Sequence, residues 1–238
     1  MTVKAYGDNE GALELYKKAE QIRLSYLPEN HVLVLTARGN IAHTLTEIGH
    51  YKEAVDIFEK IIQNYSDSMP EKEYESDFIA TVYNNIAEAY MGLGDYEHAY
   101  MYCVDALKMK AHVFGEQSVD YAISLNTMSI ILYYRKQYDE AAKMAKATIE
   151  IYQALLPEVH HLTSTAYFNL ALIEEAENRD EEALEHYQQA LRIDSRLGRV
   201  DNLIMTAEYI ADIYQRNEMP DDEKIYREWI NELLEQYS

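Results

Sequence analysis

The chain has 238 residues, 48% of them hydrophobic, with only 4 Pro and 8 Gly, so it can build a core and holds few chain breakers for a β-rich or loop-rich protein. A formal net charge of -21 excludes nucleic acid and anionic membrane surfaces as partners, because both demand clustered Lys and Arg. The one cysteine, Cys103, excludes an internal disulfide framework and points to a reducing compartment.

The N-terminus has no apolar signal core, and no stretch reaches the 18 or so uncharged apolar residues that a membrane helix needs. The expectation is a soluble, cytoplasmic protein. Helical spacing of apolar residues begins at 10–26. It then recurs in pairs: 33–48 with 51–66, 78–92 with 96–113, 120–135 with 138–155, 162–177 with 180–196, and 202–216 with 221–236.

The pairs repeat in register. Gly49-His-Tyr-Lys-Glu-Ala54, Gly94-Asp-Tyr-Glu-His-Ala99, Lys136-Gln-Tyr-Asp-Glu-Ala141 and Asn178-Arg-Asp-Glu-Glu-Ala183 are copies of one turn, and Gly7-Asp-Asn-Glu-Gly-Ala12 is an earlier one. Their terminal alanines are 42, 45, 42 and 42 residues apart. Twelve residues before four of them stands another small residue: Ala42, Ala87, Ser129 or Ala171. Small residues at both places let two helices approach closely. A large residue one turn on, Leu45, Tyr90 or Leu132, fills the gap; the fourth copy has Glu174 there. Pro28, Pro70, Gly115 and Pro157 fall sixteen residues after the alanines and end each second helix, while Gly198 comes one residue early.

Each unit is thus helix A, a tight turn and helix B. One pair cannot bury its apolar faces alone, so neighbours stack into an all-α solenoid of antiparallel helix pairs. The expected organisation is one domain over 1–238: a partial module 1–31, modules 32–77, 78–119, 120–161 and 162–200, and a degenerate capping module 201–238. The closing helix carries one charged face, as a cap needs.

The small-x-x-large pattern of helix A and the Ala-x-x-x-aromatic of helix B (Ala12/Tyr16, Ala54/Phe58, Ala183/Tyr187) resemble tetratricopeptide repeats. The 42-residue step, Thr81-Val-Tyr-Asn-Asn-Ile-Ala-Glu-Ala-Tyr90 and the loop around Val113-Phe-Gly-Glu-Gln-Ser-Val-Asp-Tyr-Ala122 are similar to the kinesin-light-chain subtype, although the subtype's usual His-Pro is absent. The resemblance implies a right-handed superhelix whose A helices line a concave groove that holds an extended peptide or helix.

The resemblance also implies that an Asn two residues before the small residue of helix A clamps the ligand backbone. Those positions hold Asn40, Asn85, Thr127 and Asn169. An amide both donates and accepts, which suits any peptide bond; the alternative is a bond to the adjacent repeat. Helical phase adds His43 in the first full repeat, Asn84 and Glu88 in the second, Asn126, Ile130 and Tyr133 in the third, Phe168, Leu172 and Glu175 in the fourth, and Glu208 in the fifth. The expected ligand has a hydrophobic anchor near Ile130, Tyr133, Phe168 and Leu172 and a basic group toward Glu175 and Glu208. The apolar members also suit plain inter-helix packing.

No motif requires a cofactor or metal. His160 and His161 are adjacent, lack a third ligand one turn on, and read as loop residues. Cys103 takes the aromatic slot of helix B and reads as buried packing. Gly92-Leu-Gly94 is an inter-helix turn. The leading function is therefore a non-catalytic adaptor for a protein or peptide. The alternatives are a peptide-sensing regulatory domain and a scaffold that associates end to end through its incomplete first module.

Overall fold

The computed structural model describes residues 6–68 and 76–237. Within them lie eleven helices: α1(Tyr6–Leu24), α2(Val32–Glu47), α3(Tyr51–Ser68), α4(Asp77–Gly92), α5(Tyr96–Phe114), α6(Val119–Tyr134), α7(Tyr138–Leu155), α8(His161–Ala176), α9(Asp180–Leu197), α10(Val200–Arg216) and α11(Pro220–Tyr237). Each falls where the hydrophobic spacing predicts one, to within a few residues. The Pro70 landmark lies outside the described residues. By contact density the chain divides into two compact units, with the division between Ile131 and Leu132, inside α6.

In the first unit α2 packs on α3 and α4 on α5, and the pairs are joined by α1 on α2, α3 on α4 and α2 on α4. The closest approaches use the paired small residues: Ala42, Ala54, Ala87 and Ala99 have no exposed surface. Around them Leu35, Leu45, Phe58, Ile61, Ile79 and Ile86 form one continuous core. Enclosing Phe58 completely is worth roughly 2–3 kcal/mol. Close approach also explains Gly92, where a β-carbon would fall onto the Tyr51 ring. At the start of this unit Leu15, Ile22 and Tyr26 remain exposed along α1 and the turn after it.

In the second unit α7 packs on α8, α8 on α9, α9 on α10 and α10 on α11. Its core gathers Ala171, Ala183, Tyr187, Leu191, Leu203, Ile210, Ile213 and Leu233. The closing helix buries Ile230 and Leu233 and lays Tyr226 and Trp229 beside them, with Tyr226 also 5.7 Å from the Tyr214 ring. Ile225 and Leu234 stay exposed.

The A-to-B turns share one backbone solution. Gly49, Gly94, Lys136, Asn178 and Glu218 have φ between 55° and 87°, in the left-handed region. Each lies five residues before the Ala or, in the last pair, before Glu223. The next amide reaches back five residues: His50 N to Leu45 O, Asp95 N to Tyr90 O, Gln137 N to Leu132 O, Arg179 N to Glu174 O and Met219 N to Tyr214 O, all at 2.8–3.0 Å. This closure satisfies the last carbonyls of helix A and turns the chain sharply into helix B. Helix starts are capped by side chains where loops allow: Ser76 Oγ accepts from Ile79 N, Asp95 Oδ1 from His98 N and Ser118 Oγ from Tyr121 N. His160 is such a cap, not a free loop residue. Its Nδ1 accepts from Leu162 N at 3.2 Å, and its ring stacks on His161 with centroids 4.6 Å apart.

Two predictions follow from these contacts. A β-carbon in the left-handed region costs about 1–2 kcal/mol, offset in part by the extra entropy glycine loses on folding. Lys136→Gly and Glu218→Gly are each expected to raise stability by about 0.5–1 kcal/mol, and Gly94→Ala to lower it by about 1 kcal/mol, read from urea midpoints. Glu174 occupies the slot of a large apolar residue. It is 1% exposed, yet its carboxylate meets His186 Nδ1 at 2.6 Å, Arg179 Nη1 at 3.4 Å and Lys146 Nζ at 3.9 Å. Those three partners keep contact with water, so Glu174→Leu is expected to stay within about 1 kcal/mol of the wild type, and Glu174→Ala to fall roughly 2–3 kcal/mol below it.

Candidate peptide-binding surface

In the first unit the predicted site residues separate into open and enclosed groups. On α2, Asn40 and His43 are exposed, with His43 Nε2 4.0 Å from Glu47 Oε1. On α4, Asn85 is partly exposed, as are Asn126 and Ile130 on α6. The amides of Asn40 and Asn85 occupy one register position on two helices that touch each other.

Asn84 departs from the expectation. It is only 2% exposed and its amide is fully engaged inside the fold. Ser124 Oγ donates to Asn84 Oδ1 at 2.7 Å, and Asn84 Nδ2 donates to Glu88 Oε1 at 2.9 Å. Thr127 Oγ1 reaches the same Glu88 oxygen at 3.2 Å, so the residue at the clamp register of α6 ties α6 to α4. Ser124 and the buried Lys110 were not singled out by sequence, since nothing in their spacing distinguishes them from surface polar residues, whereas Thr127 stood at the clamp register but turns into the fold.

Burial is the main influence on Glu88 and pushes its carboxyl above the usual carboxylate range, with His43, the Thr127 and Asn84 hydrogen bonds and Lys110 opposing it. Burial likewise lowers the Lys110 ammonium from its ordinary value, against the pull of Asp120, Glu88 and Asp77. Cys103 is fully enclosed, as expected for its slot. Its thiol donates to Ser124 O at 3.4 Å and is pushed far up by burial, which leaves it an inert packing group.

In the second unit Tyr133, Phe168, Leu172 and Glu175 are partly exposed and Asn169 is buried and already engaged. Phe168 lies 5.3 Å from the rings of both Tyr187 and Tyr209, and Tyr187 and Tyr209 stack at 5.6 Å. The Tyr187 hydroxyl donates to Glu175 Oε2 at 2.9 Å. Glu175 is not an open receptor for a basic group: Arg216 Nη1 sits 2.7 Å from its Oε1 and also holds Asp180 through Nη2 at 2.6 Å. Asp212 is similarly taken by Arg227 Nη2 at 2.6 Å. Among the described residues Glu208 has no such cation. Tyr209 stands two residues before Ala211, at the register where Asn was expected, and Arg216 lies off the register positions followed in the sequence.

The raised Glu88 pKa fixes the sign of a pH effect. The folded chain binds the proton more tightly than the unfolded one, so this contribution to stability is present in acid and is lost as pH rises through the folded value. Glu88→Gln keeps an oxygen for Asn84 and Thr127 and carries no charge. It should be more stable than the wild type at pH 7, with the difference closing as pH falls below 4.5, the group's ordinary value. Glu88→Ala strands both donors and should lose about 1–3 kcal/mol. Denaturant titrations at several pH values read both.

Among the described residues no helix is long and apolar enough to cross a membrane, and no three His, Cys, Asp or Glu side chains are grouped to hold a metal. The tetratricopeptide repeat sequence profile matches residues 5–67, 78–154 and 148–196. No curated protein sequence matches the chain. Among solved structures, BtubC (BKLC) of P. vanneervenii superposes with a TM-score of 0.78 at 16% identity, covering 96% of this chain and 91% of that one. A kinesin light chain of Podospora anserina with nearly identical TPR-like repeats gives 0.70 at 18% identity, covering 86% and 97%. The apo quorum sensor NprR of B. thuringiensis gives 0.72 at 16% identity, covering 93% of this chain and 59% of that one. With repeat, turn and packing agreeing along its length, the chain belongs to the tetratricopeptide repeat family.

Proposed function

We propose that this chain is a non-catalytic adaptor that holds an extended peptide segment of a partner protein against its A helices. One observation carries the reading. Asn40 and Asn85 present side-chain amides, unengaged by other described residues, at the same register on the touching helices α2 and α4. Asn is a mediocre helix former, and an amide that faces outward without a partner inside the fold is suited to a ligand's peptide bond. Asn126, Ile130 and His43 extend this surface in the first unit. In the second, Tyr133, Phe168 and Leu172 supply an apolar patch for an anchoring side chain, and Glu208 supplies the carboxylate for a basic ligand residue. No cofactor enters this reading. A cytoplasmic setting fits the lone reduced cysteine.

A regulatory variant of the same function draws support from the fold likeness to the quorum sensor NprR, of which this chain spans 59%. In that reading the ligand is a short signalling peptide and the effector lies elsewhere. A scaffold that associates end to end draws on the exposed Leu15 and Ile22 of α1 instead.

Selection from a displayed random-peptide library, followed by calorimetry on the best binders, tests the proposal. The double variant Asn40→Ala, Asn85→Ala removes two outward amides and leaves good helix formers behind, so helicity should hold. Affinity should fall about tenfold or more, given about 0.5–1.5 kcal/mol for each hydrogen bond. Equal affinity in wild type and variant would refute the clamp. Binders that are uniformly acidic would refute the role of Glu208.

A further inference from the structure

The second unit contains a cavity of about 370 Å³ framed by α7, α8 and α9, away from the residues of the proposed peptide surface. One wall is the α9 stripe Gln189, Arg192, Ile193 and Arg196, spaced so that all four share a helix face. Gln153, near the end of α7, and Pro157, in the loop after it, form the opposite side. Thr163 and Tyr167, one turn apart on α8, complete the lining.

Thr163 is the unusual member. It is 4% exposed, and its Oγ1 is buried with no hydrogen-bond partner. Threonine in a helix ordinarily bonds the carbonyl four residues back. Thr36 does so to Val32 O at 2.8 Å, Thr148 to Met144 O at 2.9 Å and Thr165 to His161 O at 3.0 Å. Thr163 has no such acceptor, because it is the third residue of α8 and no helical carbonyl stands four residues back; its buried hydroxyl is a standing penalty unless something in the cavity accepts from it.

The remaining polar groups are also biased toward donation. Gln153 Nε2 donates to the Tyr167 hydroxyl at 2.7 Å, which leaves the phenol's own proton free to point elsewhere. Arg192 is exposed and makes no ion pair among the described residues. Arg196 holds the Glu158 carboxylate at 2.9 Å through Nη1, which leaves the rest of its fork open and shows that a carboxylate fits at this rim. Glu158 is the only acidic residue in the lining, so two guanidiniums outweigh one carboxylate there, in a chain whose net charge is -21.

We infer that this cavity is a binding site for a small oxyanion-bearing ligand, a phosphate monoester or a carboxylate, whose oxygens accept from the Thr163 and Tyr167 hydroxyls and the Arg192 guanidinium. The volume suits a small molecule or a single acidic side chain. Guanidinium and hydroxyl donors together favour a planar or tetrahedral oxyanion over a neutral ligand. The site is independent of the peptide-binding proposal and stands or falls apart from it.

Titration of the full chain with inorganic phosphate and, in a separate arm, with succinate tests the inference. Both are run in low-chloride buffer and followed by calorimetry and by the methyl resonances of Thr163 and Ile193. The expected result is saturable one-to-one binding of at least one probe with a dissociation constant of about 1 mM or tighter, weakened at least tenfold by Thr163→Val and by Arg192→Gln, with Thr163→Ser retaining wild-type affinity. Phosphate alone binding assigns the phosphate arm, and succinate alone the carboxylate arm. Thr163→Val should also raise the thermal midpoint of the ligand-free chain, because it removes the orphan hydroxyl. No saturation by either probe up to about 50 mM, or unchanged affinity in Arg192→Gln or Thr163→Val, would overturn the assignment. Arg192 is on the surface, so that arm remains readable if a Thr163 variant folds poorly.

Discussion

Two alanines without a solvent-exposed atom, one on each helix, set the geometry of three of the helix pairs. Ala42 and Ala54, Ala87 and Ala99, and Ala171 and Ala183 are each fully enclosed. A larger side chain at either place would force the helices apart and open the core that Phe58 or Tyr187 fills from one turn away. Because the contact is between backbones rather than long side chains, it fixes the separation of the helices and leaves their outer faces free to vary. That freedom is where the candidate ligand contacts lie.

The turn that joins each pair is the second constraint. Its left-handed residue is glycine in two copies and Lys136, Asn178 or Glu218 in the others, yet the backbone closure is the same. Packing of the helix pair downstream, through Ala141 and Ala183 after Lys136 and Asn178, holds the chain in that conformation, so tertiary packing compensates for the local strain of a side chain at positive φ. The repeat therefore persists through sequence changes that local propensity alone would disfavour.

Polar groups enter the core where adjacent helices need fastening. Glu88 ties Asn84 and Thr127 together, Glu174 gathers Lys146, Arg179 and His186, and Asp194 accepts from Ser164 Oγ at 2.7 Å while pairing with Arg199 at 3.0 Å. Each network links residues far apart in sequence, and each fills its acceptors from neighbouring elements. Thr163 stands outside this pattern, which is why its cavity draws notice.

Helix positions, the pairing of helices, the buried alanines and the enclosed Cys103 could all be read from the chain itself. They follow from a hydrophobic period of about 3.6 residues and a repeat of small residues, both of which are local and periodic signals. The fate of individual polar residues could not be read in the same way. Asn84 and Asn85 are neighbours of one type, yet the first is locked to Ser124 forty residues away and the second faces outward. Glu175 looks open by helical phase but is neutralised by Arg216 from a helix that returns beside it. Sequence by itself determined the fold because stacking depends on which positions are apolar and small. Only the tertiary structure decided which polar groups remain available to a ligand, because that depends on partners brought together from distant helices.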